Sequence, residues 1–385
     1  MTGAGRGLAF GIDIGGTKML GVAIDADDEI VAEARVPTPH AALDLLEQPA
    51  SALEQGGEPG TRGAGAPGTR GAGTDVADAV VEVVRLLRLE IEGGTGRANP
   101  ATPGPAPATP GTVPATGPST RHRSATRAPV GVGAPGMLDR DGVLRFSPNL
   151  PGAAGADLHA LISVRMPGTT VVVENDANCA ALAELRHGAL RGAEDAVVVT
   201  LGTGIGGGIV RGDRVVLGAF GFAGEIGHMV VDPAGPPCPC GRRGCWERYA
   251  SGGGLARLAR EAAYAGRLGD VVAMAGGDPE LVRGEHVTRA ARRGEPGALG
   301  VMDELGWWIA LGLTNLVAIL DPERIVLGGG LGEAEEMLLA PTRRAFAHLA
   351  EGAVVRPDIE ILVAELGERA GAVGAAMMAR TGGLG

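Results

Sequence analysis

Lysine is almost absent from this chain of 385 residues: Lys18 stands alone against 33 arginines. Lysine carries a compact point charge and arginine a wide planar fork, so the two are not interchangeable beside a phosphate. A single lysine that persists in so arginine-rich a sequence predicts a phosphate contact at Lys18. A tolerant surface position is the alternative interpretation.

An excess of basic charge and a long apolar run are also missing. The formal net charge is -11 and the pI about 5.2, which disfavours a nucleic-acid partner because phosphates need a basic face. No apolar run approaches the roughly 20 residues of a membrane span. Residues 1–7 lack the basic and then apolar pattern of a signal peptide. Together with the length, these features predict a soluble cytoplasmic protein of two domains.

Apolar residues are scarce in two segments. Residues 55–73 contain PGTRGAG twice, and residues 93–127 consist almost entirely of Gly, Pro, Ala, Thr, Ser and Arg. Neither segment offers enough apolar surface to offset the entropy of ordering it. We predict two disordered surface insertions; a Pro-rich arm that binds a partner is the alternative.

The first motif that suggests a binding site is Asp13-Ile14-Gly15-Gly16-Thr17-Lys18, in the turn between two apolar segments. Glycines let backbone N–H groups reach a phosphate, and Thr17 and Lys18 add donors and charge. Asp13 is suited to hold Mg²⁺ through water. The spacing is not that of a Walker A loop. An ordinary Gly-rich hairpin is the alternative.

A second glycine turn, Gly202-Thr203-Gly204, lies between two predicted strands in the other half of the chain. A third glycine cluster, Gly328-Gly329-Gly330, ends another strand. Paired strand–turn–strand loops that carry Gly-Thr resemble the phosphate loops of the actin-like ATPase (ribonuclease H-like) fold. That resemblance implies two α/β domains around a nucleotide and sugar cleft.

The sequence Glu174-Asn175-Asp176-Ala177-Asn178 stands where a predicted strand meets a predicted helix. Asn and Asp at this position would serve as helix caps. The functional interpretation is that Asp176 accepts the proton of a sugar hydroxyl that attacks phosphorus. An aspartate near its reference pKa of about 3.9 is ionised at pH 7, so we expect no special tuning.

The most specific motif is a cysteine-rich loop. Cys238, Cys240 and Cys245 lie ten to seventeen positions after His228, among prolines and glycines. One histidine and three cysteines match a closed tetrahedral zinc site, and disulfides are not expected in a reducing cytosol. Free thiols in a loop are the alternative. Cys179, in an Ala-rich helix, is predicted to be a small core residue.

These pieces together resemble the ROK family of sugar kinases and repressors. The matching segments are DIGGTK at Asp13, GAPG at Gly133, SPNLPG at Ser147, ENDANCAALAE at Glu174, LGTGIGGG at Leu201, GEIGH at Gly224 and CPCGRRGCWE at Cys238. They follow the family's order from about residue 8 to 380, apart from the insertions. One departure is Ala153-Ala154, where the family often has an aromatic residue.

The resemblance implies ATP-dependent phosphorylation of a hexose at its 6-hydroxyl, and D-glucose is the expected hexose. Asp176 is then the general base, and the implied sugar ligands are Asn149, Asn175, Glu225, His228 and Glu247. The implied contacts of ATP and Mg²⁺ are Asp13, Gly15, Gly16, Thr17, Lys18, Gly202, Thr203 and Gly204, with Gly329 and Gly330 against the adenosine. His228 also joins Cys238, Cys240 and Cys245 around a structural zinc ion.

The predicted organisation is an N-terminal domain over residues 1–135, a larger domain over 136–365 with the zinc loop at 228–247, and a helix over 366–385 that returns to the first domain. A homo-oligomer, dimer or tetramer, is expected. Three alternatives are open: a kinase for fructose, mannose or N-acetylmannosamine; a polyphosphate donor; and a sugar-responsive repressor. The repressor is disfavoured because the DIGGTK strand begins at about Leu8 and leaves no room for a helix-turn-helix domain.

Overall fold

The computed structural model describes residues 7–39, 71–93, 128–329, 335–352 and 355–384. The strands are β1 Ala9–Ile14, β2 Lys18–Ile24, β3 Ile30–Pro37, β4 Val130–Ala134, β5 Met137–Leu138, β6 Leu144–Phe146, β7 Val171–Asn175, β8 Asp195–Leu201, β9 Ile205–Arg211, β10 Arg214–Val215, β11 Arg324–Gly328 and β12 Glu360–Val363. The helices are α1 Ala72–Glu92, α2 Leu158–Arg165, α3 Asp176–His187, α4 Glu247–Ala250, α5 Gly252–Tyr264, α6 Gly269–Met274, α7 Gly284–Arg292, α8 Pro296–Leu320, α9 Glu335–Leu349 and α10 Ala370–Thr381.

Two five-stranded sheets share one topology. The first has the order β3-β2-β1-β4-β7 and the second β10-β9-β8-β11-β12. In each sheet the first three strands in sequence pair antiparallel, and the remaining two pair parallel. We call the two halves the first and second lobes. A repeated topology of this kind is the architecture of the actin-like ATPase fold that the glycine loops predict.

Helix α10 packs against the first lobe through small residues. A Cβ on Gly11 of β1 would lie 1.9 Å from the carbonyl oxygen of Ala372, and one on Gly131 of β4 would lie 1.8 Å from that of Ala375. Gly374 approaches the backbone of Cys179 in α3 equally closely. Glycine therefore lets α10 lie directly on β1, β4 and α3. Cys179 is fully buried, as predicted.

Helix α8 is long and apolar enough to cross a membrane by length and composition alone, with a mean hydropathy of 1.2. Its residues Leu305, Ile309 and Leu313 are completely buried in the core of the second lobe. Gly312 makes room for the Trp246 indole, whose Nε1 donates a hydrogen bond of 2.7 Å to the carbonyl oxygen of Trp308. Helix α8 is therefore apolar because it packs in the core of the second lobe.

Several sequence-based expectations differ from the observed elements. The apolar segment from Met229 to Val231 suggests a strand, and this prediction is wrong, because the segment makes only an isolated bridge between Val230 and Cys245. Strand β7 pairs with β4, so the first sheet extends to Asn175 and passes the domain boundary expected at residue 135. Helix α1 begins at Ala72, within the insertion predicted over 55–73. The rest of that insertion, and 94–127 of the other, lie outside the described residues.

Candidate active site

A cavity of about 960 Å³ lies between the lobes, at the ends of β1, β7, β8 and β11. Apart from the three cysteines of the metal site, the predicted site residues that lie within the described part of the chain all line it. These are Asp13, Gly15, Gly16, Thr17, Lys18, Asn149, Asn175, Asp176, Gly202, Thr203, Gly204, Glu225, His228, Glu247 and Gly329. Gly330 lies outside the described residues. Positions more than 300 residues apart in the sequence are thus brought to one cleft.

Asp176 is the first residue of α3, immediately after β7. Asn175 is the N-cap: its side-chain oxygen accepts hydrogen bonds from the backbone N–H groups of Ala177 at 2.9 Å and Asn178 at 3.1 Å. The Asn175 amide also donates to the Gly136 carbonyl oxygen at 3.1 Å. The capping interpretation is therefore correct for Asn175, and the cap leaves Asp176 on the cavity wall.

Asp176 and Asp13 form a partly buried pair of carboxyl groups. Burial raises the pKa of Asp176 to about 6. Burial, and then the charge of Asp176, raises the pKa of Asp13 to about 8. The expectation that Asp176 titrates near the reference value is wrong, because the sequence does not reveal that the strand ends exclude water. Two ionised carboxylates this close repel each other. The repulsion increases the proton affinity of Asp176 and favours a bound cation near Asp13.

The glycine turns present backbone to the cavity. The N–H of Gly15 donates to the Lys18 carbonyl oxygen at 2.9 Å, which closes the first hairpin turn. A Cβ on Gly16 or Gly202 would meet no atom within 4 Å, so both positions leave open space beside the turn. Gly329 has a φ of +105° and lies against the backbone of Leu201, which joins the third glycine cluster to the second.

Lys18 meets an acidic partner that the sequence did not suggest. Its Nζ lies 2.8 Å from Oε2 of Glu368, and the Lys18 side chain is 51% exposed. Glu368 also pairs with Arg35. Exposed ion pairs contribute little to stability, so this pair leaves Lys18 available to a stronger anion such as a triphosphate.

The predicted sugar residues cluster at the other end of the cavity. His228 joins them: its Nε2 lies 3.8 Å from Oε2 of Glu225, and its Nδ1 lies 3.6 Å from Oε1 of Glu247. Burial, followed by the charges of Asp176 and Glu247, raises the pKa of Glu225 to about 7. A Cβ on Gly204 would lie 2.6 Å from Oε2 of Glu247, so the second glycine turn adjoins this cluster. Asn149 and Ala154 complete the wall.

The histidine and three cysteines converge as a metal site requires. One ligand atom from each of His228, Cys238, Cys240 and Cys245 lies within 4.8 Å of all the others. The Cys240 and Cys245 sulfurs are 3.6 Å apart, and Nδ1 of His228 is 3.7 Å from the Cys238 sulfur. A zinc tetrahedron with bonds of about 2.3 Å has edges of about 3.8 Å. The four residues therefore fit a structural zinc ion.

Three residues near the nucleotide end are absent from the sequence predictions: Glu184, Glu368 and Gly371. A Cβ on Gly371 would lie 2.7 Å from the Asp13 carboxyl carbon. The available signal for Glu184 was a charged residue at the end of the Ala-rich run ENDANCAALAE. Glu368 and Gly371 have no signal of their own, because their partners lie at the opposite end of the chain.

Comparison with known proteins agrees with the fold and the site. The ROK family model matches residues 118–382, and the chain belongs to this family. The glucokinase of Streptomyces coelicolor is 33% identical over 377 residues, which cover 97% of this chain and 98% of the relative. The glucokinase of Thermotoga maritima is 39% identical over 248 residues, 64% of this chain and 77% of the relative.

A solved structure extends the likeness to three dimensions. The ROK family glucokinase of Streptomyces griseus, in complex with glucose and AMPPNP, has a TM-score of 0.73 and 32% identity. The match covers 97% of this chain and all of that one. Both lobes and the cleft are therefore shared.

Proposed function

We propose that this protein is a glucokinase that transfers the γ-phosphoryl group of ATP to the 6-hydroxyl of D-glucose. The observation that carries the proposal is the cleft in which two glycine turns, a partly buried aspartate at a helix N-terminus and a carboxylate–histidine cluster meet. Relatives named glucokinases match nearly the whole chain. A kinase for fructose, mannose or N-acetylmannosamine is the second candidate, because the same cluster can bind other hexoses.

The reaction follows from the arrangement. The 6-hydroxyl oxygen attacks the γ-phosphorus while its proton passes to a carboxylate oxygen of Asp176, and the bond from that phosphorus to the β–γ bridging oxygen breaks. ADP leaves with the electrons of that bond. A base whose pKa is near 6 is ionised at neutral pH and still holds the proton well, which suits general base catalysis.

Each cluster has a role in this proposal. Asn149, Asn175, Glu225, His228 and Glu247 hydrogen-bond the remaining hydroxyl groups of the sugar. Backbone N–H groups of Gly16 and Gly204, with Thr17, Lys18 and Thr203, bind the phosphates. The N–H groups of Gly15 and Gly202 close their own turns, so these two glycines adjoin the phosphates without donating to them. Gly329 lies against the adenosine. Small cavity-wall residues such as Ala154 shape the sugar end.

Two metal ions complete the assignment. Asp13 is suited to hold Mg²⁺ through water, and such an ion supplies positive charge to the phosphates and relieves the repulsion between Asp13 and Asp176. His228, Cys238, Cys240 and Cys245 would hold a zinc ion with four protein ligands and no open position, so its role would be structural. His228 offers Nδ1 to the metal and directs Nε2 toward Glu225, which links the zinc loop to the sugar cluster.

The proposal also covers the cellular location, the oligomeric state and the partners of the enzyme. We expect a cytoplasmic homo-oligomer, dimer or tetramer, without a nucleic-acid or membrane partner. The net charge of -11 supports the absence of nucleic acid, and size-exclusion chromatography with light scattering measures the oligomeric state.

A coupled assay of ADP release tests the function. The purified protein is supplied with ATP or polyphosphate and with glucose, fructose, mannose or N-acetylmannosamine in turn. We expect the highest kcat/KM with ATP and glucose. A higher value with another hexose would support the second candidate, and no turnover with any hexose would refute a sugar kinase.

A further inference from the structure

Glu184 is a buried acid that the proposed reaction does not use. It lies on α3, two turns after Asp176, and its side chain is completely inaccessible to solvent. Oε2 accepts hydrogen bonds from the backbone N–H groups of Ala189 at 2.8 Å and Glu365 at 3.2 Å, and Oε1 accepts one from Leu366 at 2.9 Å. Burying a carboxylate is costly unless it is hydrogen-bonded in this way.

The position of this carboxylate is tightly defined. Gly188 ends α3 beside it, and a Cβ there would lie only 2.0 Å from Oε2 of Glu184. The φ of Gly188 is -118°, which any residue adopts, so the close approach and not the backbone conformation requires glycine. The absence of a side chain at Gly188 therefore provides the space that the Glu184 carboxylate occupies.

What Glu184 holds is the segment of residues 364–371, which we call the 364–371 turn. It follows β12 and forms part of the cavity wall. Glu365 and Leu366 are hydrogen-bonded to Glu184, and a few residues later Glu368 contacts Lys18. The turn ends at Gly371, directly against Asp13. One short segment thus connects α3, which begins with Asp176, to the first phosphate loop.

We propose that Glu184 is a positioning residue of the nucleotide subsite. It touches no substrate; it fixes the 364–371 turn, and through that turn it sets Lys18 and Asp13 for the polyphosphate of a nucleoside triphosphate. The identity of that nucleotide as ATP rests on the proposed function. A residue that only stabilised the fold would not favour one subsite over the other, and this difference makes the role measurable.

The test compares the binding of two ligands to folded protein. Glu184→Gln keeps the size of the side chain but presents an amide N–H₂ to backbone donors. Isothermal titration calorimetry is carried out with AMPPNP in the presence of Mg²⁺ and, separately, with glucose. We expect the dissociation constant of AMPPNP to rise about tenfold, as for the loss of one charge-assisted hydrogen bond, and that of glucose to change less than about twofold.

A matched control is Glu295→Gln. The Glu295 carboxylate accepts a hydrogen bond from the backbone N–H of Ala298 at the start of α8, outside the cavity. We expect this variant to lower the melting temperature and leave both dissociation constants unchanged. Glu184→Asp, which keeps the charge and shortens the side chain, provides a second variant if the amide does not fold; the same selective loss is expected from it.

Equal weakening of both ligands, or unchanged AMPPNP binding by folded Glu184→Gln or Glu184→Asp, would overturn the assignment. The proposed function fails separately: wild-type protein that binds AMPPNP but phosphorylates no glucose would refute the glucokinase, while the two titrations would still decide the role of Glu184.

Discussion

Asp176, the first residue of α3, and Asp13, near the end of β1, are partly shielded from water by the surrounding protein. This position gives Asp176 a basicity that an exposed aspartate lacks. We expect Asp176→Asn to bind glucose normally and to lose about 10²–10⁴-fold in kcat, because the amide keeps the size but accepts no proton. Steady-state kinetics and glucose titration measure the two effects. Retention of more than about a tenth of wild-type turnover would exclude Asp176 as the base.

The raised pKa of Asp176 predicts the acid limb of the activity profile. Protonated Asp176 cannot accept the hydroxyl proton, so kcat/KM for glucose is expected to fall as the pH decreases through about 6. An ordinary aspartate would give an inflection near 3.9. Melting curves recorded at each pH separate this titration from acid unfolding. An inflection near pH 4 in folded protein would contradict the buried environment of the base.

Lys18 provides a test of the phosphate loop. Its ammonium lies beside Glu368 at the nucleotide end of the cavity. Lys18→Arg is expected to raise the KM for ATP several-fold and to leave the KM for glucose nearly unchanged, because the planar guanidinium does not fit where a compact ammonium binds.

The matched control for Lys18 is Arg35→Lys, since Arg35 also pairs with Glu368 but does not line the cavity. This exchange should leave the KM for both substrates within about twofold of wild type, as exposed pairs contribute little. Unchanged ATP kinetics in Lys18→Arg would show that Lys18 is a tolerant surface position.

The site residues differ in how far they could be predicted from sequence. Asp13, Asp176 and the glycines occur in short contiguous motifs, and these motifs indicate their chemistry without knowledge of the fold. Glu184 was not predicted, because its backbone partners Glu365 and Leu366 lie more than 180 positions away. The pKa of Asp176 was missed for a related reason: burial is a property of the assembled strands.

Among the described elements, the cysteine loop brings together the four residues that fit a zinc ion, so we expect its position to depend on that ion. It runs from His228 to Cys245 with isolated bridges and turns in place of strands, and it is anchored by Trp246 in the notch at Gly312 of α8. Glu247 follows directly and begins α4. A change in the loop therefore moves a proposed sugar ligand while the core of the second lobe remains packed.

Cys240→Ala is expected to lose zinc and raise the KM for glucose strongly, since a displacement of about 1 Å can cost on the order of 10²-fold in rate. Elemental analysis should find one zinc per wild-type chain and less in the variant. Cys179→Ala is the control, because Cys179 is buried in α3 away from the cluster and should leave the zinc content unchanged. Full activity in Cys240→Ala would contradict this role.

Secondary structure could be predicted where the apolar periodicity is strong. The prediction failed where contacts between distant parts of the chain decide the local structure. The strand–turn–strand units around Gly15 and Gly202 and the long helix α8 were anticipated from apolar runs and glycines. Met229 to Val231 is apolar but belongs to the metal loop, so it forms no strand. Helices α4 to α7 were not predicted, although α5 carries Leu255, Leu258, Ala259, Ala262 and Ala263 at helical spacing, so the apolar period was available there and was missed.

For the whole molecule, the repeated topology creates a cleft whose two walls belong to different lobes. Arg140, between β5 and β6 of the first lobe, reaches the second lobe. Its Nε donates to the Ala219 carbonyl oxygen at 3.1 Å and its Nη2 donates to that of Gly218, in the loop that follows β10 of the second lobe. Because this contact joins the two lobes, we expect it to help to hold their separation.

Arg140→Ala removes this connection without altering a proposed ligand of glucose or ATP. We expect the KM for glucose to rise by about three- to tenfold, corresponding to the loss of hydrogen bonds to a charged group, with a smaller effect on kcat. Arg85→Ala is the control, because Arg85 pairs with Glu82 within α1 and does not line the cavity. Tryptophan fluorescence during glucose titration reports binding directly. An unchanged glucose KM in Arg140→Ala would mean that the lobes keep their separation through the shared core around α10 alone.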